Sequence, residues 1–157
     1  CLVGSEMCIR DRDIPTIKIS SLDAKERKPR ITFITPEAKK FLLEYLEKRK
    51  IAGENINENS YVIVNEDGER TSYQNIHYII KKVFKDFSKK IEKRYTLHPH
   101  SLRKWFKTQL INAGVPAPIV DRLTGHHRYL AREYELYTED QLREWYERGM
   151  KALLLLS

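Results

Sequence analysis

Cysteine is nearly absent from this chain of 157 residues, and its two copies, Cys1 and Cys8, both lie in the first eight positions. No disulfide framework and no cysteine-based zinc-ligand pattern can be assembled from them. Long apolar runs are missing too: Leu153 to Leu156 falls far short of the about 20 residues needed to cross a bilayer. No signal-peptide pattern, internal repeat or low-complexity tract is evident. Metal-dependent hydrolysis has no foothold, since there is no H-E-x-x-H and no acidic cluster beside the histidines. A cytoplasmic protein without a metal or other cofactor is the expectation.

What is present is positive charge. Lys and Arg number 29 against 22 Asp and Glu, a net charge of +7 with a pI near 9.4. Such a surplus suits a polyanionic partner, most often nucleic acid, although a merely basic protein would show it as well. Hydrophobic residues make up 41% and include nine Tyr, five Phe and two Trp. One domain with one core is expected from that length and composition. Residues 1–12, CLVGSEMCIRDR, do not begin with Met, show no periodicity and resemble translated sequencing-adaptor sequence. Their charges cancel (Glu6 and Asp11 against Arg10 and Arg12), so the +7 belongs to residues 13–157. Residues 1–12 are expected to be a non-native leader, and residues 13–157 the C-terminal part of a protein that began upstream.

Alternation of β-branched residues predicts strands at Thr16–Ser20 and Arg30–Ile34, joined into a hairpin with a basic tip containing Lys25, Arg27 and Lys28. Thr35 followed by Pro36 signals a helix start, and Ala38, Phe41, Leu42, Tyr45 and Leu46 continue it to about Lys50. Tyr61–Val64 reads as a short apolar strand. Ser72 caps a helix with an apolar stripe through Ile76, Ile79, Ile80, Val83, Phe84 and Phe87. Its other face carries Lys81, Lys82, Lys85, Lys89 and Lys90, a solvated surface or a phosphate-facing one.

Beyond Arg94 the chain reads as helical to its end. A helix opening at His100 or Ser101 has the stripe Leu102, Trp105, Phe106 and Leu110 and stops near Gly114. Pro116 opens a shorter one through Ile119, Val120 and Leu123, ended by Gly125. Thr138 and Gln141 form a capping box for a last helix burying Leu142, Trp145, Tyr146 and Met150. That stripe, with Leu153 to Leu156, can pack at home or dock elsewhere.

Two imidazoles, a guanidinium and a phenol then fall in order within a short stretch: His100-x-x-Arg103, Leu123-x-Gly125-His126 and Tyr134. Phosphodiester chemistry without a metal calls for these groups, because a phenol can attack phosphorus, a guanidinium fork can hold two oxygens and imidazoles can move protons. The stretch from Leu97 to Tyr137 resembles the C-terminal signature of tyrosine recombinases, also called phage-type integrases. Arg132-Glu133-Tyr134 followed by Thr138 to Leu142 looks most like archaeal-type members. Upstream, Lys25-Glu26-Arg27-Lys28-Pro29-Arg30 resembles the K-x-x-K-x-R hairpin of that family.

The resemblance covers about residues 13–150 and implies an α+β, mainly helical domain with a small antiparallel sheet near the N-terminus. It implies cleavage and rejoining of double-stranded DNA by four cooperating protomers. In it Tyr134 is the nucleophile, with Tyr137 as the rival because the usual spacing from His126 lands on Glu135. Arg103 clamps the phosphate, His100 and His126 support it, and Lys25, with Lys28 as rival, protonates the leaving oxygen. Arg27, Lys28, Arg30 and Lys104 would contact DNA. His98 and His127 stand out of register. The family's first arginine and its separate core-binding domain have no counterpart here, so cleavage is expected to need the upstream part. A non-catalytic helix-turn-helix module, built from Leu102–Leu110 and Pro116–Leu123, accounts for the charge but not for His100, His126 and Tyr134. An interaction domain without nucleic acid accounts for less.

Overall fold

The computed structural model describes residues 13–19, 29–57, 60–91, 94–95, 97–125 and 137–155. Residues 1–12, expected to be a leader, and Lys25, Arg27 and Lys28, expected at the hairpin tip, lie outside the described residues. So do His126 and Tyr134.

The expected hairpin strands are β1 (Thr16–Ile19) and β2 (Arg30–Phe33), an antiparallel pair in the register Thr16 with Phe33 to Ile19 with Arg30. Helix α1 (Pro36–Ile51) follows, its Thr35 Oγ1 accepting from Ala38 N at 3.1 Å. Only Leu46 and Arg49 of α1 are buried, and Phe41 is half exposed, so the expected stripe is partly bare. Arg49 is buried because it is fully engaged. Its Nε and Nη2 hold Glu54 at 2.9 and 2.7 Å, and Nη1 donates to the carbonyls of Tyr61 and Val62. The Glu54 carboxylate raises the Arg49 pKa against the opposing effect of burial.

The strand expected at Tyr61–Val64 does not form. Val64 makes a single antiparallel bridge to Arg70, and Ile63 is half exposed. Helix α2 (Tyr73–Val83), capped by Ser72 as expected, ends one residue before Phe84 and buries none of its residues. The stripe of Ile76, Ile79, Val83 and Phe87 faces outward. Amphipathic spacing marks one side of a helix as apolar; burial needs a neighbour as well.

The chain from Arg94 onward is not helical throughout. A minimal antiparallel pair, β3 (Lys90–Ile91) and β4 (Arg94–Tyr95), precedes α3 (Pro99–Asn112). That helix starts earlier than expected, with Pro99 at its first position. Leu110 of α3 is fully buried, whereas Trp105 and Leu102 remain more than a third exposed, so Trp105 is not core packing. Gly114, at φ 86°, ends the helix. Helix α4 (Ala117–Thr124) buries Ile119, Val120, Asp121, Leu123 and Thr124 and ends at Gly125.

Helix α5 (Glu139–Gly149) carries the expected capping box, Gln141 N donating to Thr138 Oγ1 and Thr138 N to Gln141 Oε1. It runs into a 3₁₀ turn, Met150–Leu153. Its stripe packs at home. Leu142, Tyr146 and Leu153 join Phe33, Leu110 and Val120 in one core. The Tyr146 ring lies 5.4 Å from Phe33 and 6.4 Å from Phe106, and its burial pushes the phenol pKa up. Gly149 lets α5 approach this closely, since a Cβ there would meet Val115 Cγ2 at 2.5 Å and Leu110 Cδ2 at 2.9 Å.

Helix α5 is also tied to β1. Arg143 donates to the Ile14 carbonyl and Thr16 Oγ1, both at 2.6 Å, and to Glu139 at 2.8 Å, while lying over the Phe33 ring. The described residues therefore form an α+β, mainly helical fold around one core, with small antiparallel pairs, as expected. They contain no helix long and apolar enough to cross a membrane.

Candidate active site

Helix α3 enters from an extended His98 (φ −154°, ψ 168°), whose N–H donates to Ser101 Oγ at 3.3 Å. His100 sits in the first turn, exposed, with its ring stacked on that of His98 at 6.2 Å. His98, out of register with the motif, thus shapes the helix start. Arg103 lies one turn further in and is half buried, whereas the adjacent Lys104 is exposed.

The Arg103 side chain crosses to α4, where its Nη2 donates to the carbonyl of Thr124. Carbonyls at the end of a helix have no partner within it and sit at the negative end of the helix dipole, so a cation is well placed there. Lys107, one turn along α3 on the same side, pairs with the buried Asp121 carboxylate one turn back on α4. These two rungs, Arg103 to Thr124 and Lys107 to Asp121, set the two helices against each other. The Thr124 hydroxyl turns inward and donates to the Val120 carbonyl at 2.8 Å.

A second guanidinium arrives from the sheet. Arg30 Nη1 donates to the same Thr124 carbonyl at 3.0 Å. The sequence groups Arg30 with DNA-facing bases; in the structure its side chain turns inward across the α4 terminus. The next residue is Gly125, in the left-handed conformation at φ 70°. Glycine suits that φ, and a Cβ there would meet Arg30 Nη1 and come within 2.9 Å of its Cδ, so the Arg30 side chain would have to shift. Burial lowers the Arg103 pKa, and the neighbouring Arg30 charge lowers it further.

Of the expected site residues that are described, Arg30 and Arg103 are brought together, His100 lies at the start of the Arg103 helix, and Lys104 is on its outer side. Tyr137 is half buried against the core. The Thr124 carbonyl was not foreseen, because a backbone acceptor leaves no mark in a sequence. Lys107 and Asp121 could have been found: each lies one turn from a motif residue on its own helix, four after Arg103 and four before Gly125. Among the described residues, no group of three His, Cys, Asp or Glu gathers as metal ligands.

An antiparallel hairpin thus feeds a helical core in which the arginine of the H-x-x-R helix start bonds to the end of the helix that carries Leu123-x-Gly125. The chain belongs to the phage integrase family, whose model matches residues 7–141. It is similar to Tyrosine recombinase XerC of Leptospira interrogans, at 26% identity over 149 residues, covering 94% of this chain and 45% of the relative. XerC of Staphylococcus saprophyticus is 28% identical over 145 residues, covering 88% and 45%. XerC of Bacillus pumilus is 28% identical over 152 residues, covering 90% and 47%. The chain thus spans a little under half the length of these relatives. No solved structure matches it significantly.

Proposed function

We propose that residues 13–157 are the C-terminal catalytic part of a site-specific DNA recombinase that breaks and rejoins strands through a 3′-phosphotyrosyl intermediate. The observation that carries this reading is Arg103, held half buried against the last carbonyl before Gly125-His126. A guanidinium fixed there has donors left for a phosphodiester, and a preorganised cation stabilises the charge that builds on phosphorus during attack.

In this scheme the Tyr134 phenolate attacks the scissile phosphorus. The new P–O bond forms as the bond to the 5′ oxygen breaks, and Lys25 delivers a proton to that oxygen. His100 and His126 donate to the non-bridging oxygens or exchange the proton of the phenol. Attack by another strand's 5′ hydroxyl reverses these steps and releases the tyrosine, so the phosphodiester is conserved without an external energy source. Arg27, Lys28 and Lys104 hold the DNA backbone. The substrate is double-stranded DNA, exchange takes four protomers on two duplexes, and the protein works in the cytoplasm. The archaeal-type ending is part of the same proposal.

A helix-turn-helix reader is the weaker alternative. Its second helix must present a face to the major groove, but α4 buries five of its eight residues, and its C-terminal carbonyl is occupied by two arginines. The test is incubation of the protein, with the upstream part the proposal assigns to it, with a nicked suicide duplex. A denaturing gel should show a covalent protein–DNA adduct that Tyr134→Phe removes. Salt-sensitive binding with no adduct would contradict the enzyme reading.

A further inference from the structure

Arg30 opens β2 opposite Ile19, at the base of the hairpin whose connection carries Lys25. Its guanidinium shares the Thr124 carbonyl with Arg103, an arrangement a peptide oxygen permits because it has two lone pairs. It also lies across Gly125, close enough that a Cβ there would displace it. Its Nε is buried with no hydrogen-bond partner among the described residues. A plain surface contact to DNA would need none of this, and a plain strut would not bring a second positive charge beside Arg103. Two cations around one neutral oxygen leave a local excess of positive charge, which a bound DNA phosphate would offset.

We propose that Arg30 is a positioning residue for strand cleavage, holding the Thr124–Gly125 end of α4 and, through the shared carbonyl, the Arg103 guanidinium in place for the phosphate. The inference rests on the recombinase reading and adds a residue to its machinery. Arg30 acts through the shared carbonyl and the turn, so its loss should slow the chemical step more than it weakens DNA binding. A small displacement of this kind is enough to lower a rate about 100-fold.

The experiment measures single-turnover adduct formation on the suicide duplex by the protein, with its proposed upstream part, and by the Arg30→Ala and Arg30→Lys variants of the same protein. The rate at saturating DNA, the half-saturating DNA concentration and Tm are read separately. Arg30→Ala is expected to lower the saturating rate about 10- to 100-fold with little change in half-saturation, and added guanidinium ion should restore part of it. Arg30→Lys, which keeps the charge but lacks the planar fork, should bind DNA normally and still cleave slowly. An unchanged saturating rate with a raised half-saturating concentration would make Arg30 a backbone contact and overturn the proposal. So would a rate loss that follows Tm and is not rescued by guanidinium. If the unaltered protein forms no adduct, the recombinase reading fails and this inference with it; an adduct indifferent to Arg30 sinks the inference alone.

Discussion

Arg30 and Arg103 donate to one oxygen, the carbonyl of Thr124, although one begins a strand of the hairpin and the other lies a turn into α3. The meeting point is the final residue of α4, just before the left-handed Gly125. Arg103→Ala removes the donor and should reduce the rate of adduct formation about 100- to 1000-fold, the usual consequence of deleting one preorganised donor to a developing oxyanion. DNA binding should weaken modestly, with the salt dependence shallower by about one phosphate contact. Single-turnover kinetics beside a salt titration of binding separate the two effects.

Gly125 carries a conformational and a steric requirement together. Gly125→Ala must hold φ near 70° and displace the Arg30 side chain. A loss of about 1–2 kcal/mol is expected in denaturant unfolding. In the Arg30→Ala background the clash disappears while the backbone requirement stays, so the same change should cost less. A double-mutant cycle measures the difference.

The Lys107–Asp121 pair sets the register of α3 on α4 from a place where water is scarce: the Asp121 side chain is only 10% exposed. Lys107→Ala removes one charged partner of that carboxylate, and about 1–3 kcal/mol of stability should be lost. Replacing both with leucine removes the charge problem and should recover most of it. Equal stability of the single and double variants would show that the pair has no such role.

Glu139 gives a pH signature. The Thr16 hydroxyl donates to its carboxylate at 2.8 Å, and Lys18 and Arg143 lie beside it, so its pKa falls below the ordinary carboxylate value. A carboxyl with a depressed folded-state pKa contributes stability that is complete above its unfolded pKa, about 4.3, and is lost as pH falls through the folded value. Glu139→Gln should therefore lower Tm at pH 6–7, by an amount corresponding to about 1–2 kcal/mol. The gap between the two proteins should close below about pH 4. A pH-independent gap would place the effect elsewhere.

Local chemistry made much of this fold legible in the sequence. Thr35-Pro36, Ser72, Gly114, Gly125 and the Thr138–Gln141 box each act within a turn, and each does in the structure what its residue type requires. The β1–β2 pair was readable from alternation. What could not be read depends on distant partners. The α2 stripe has the spacing of a buried face but no described element covers it, and Trp105 sits at an edge. β3 and β4, at two residues each, are too short for periodicity to register. At the site, motif spacing named Arg103 and His100. It could not show that Arg30 turns inward, because the acceptor is a backbone oxygen far along the chain.

The central claim is that a tyrosine of this chain becomes joined to a DNA 3′ phosphate beside Arg103. Protease digestion of the adduct formed on the suicide duplex, followed by mass spectrometry of the peptide still carrying nucleotide, locates the linkage directly. The expected result is a phosphotyrosyl bond at Tyr134, lost in Tyr134→Phe and strongly reduced in Arg103→Ala. A linkage on any residue other than Tyr134 or Tyr137, or an adduct that persists when both are changed to Phe, would contradict the account.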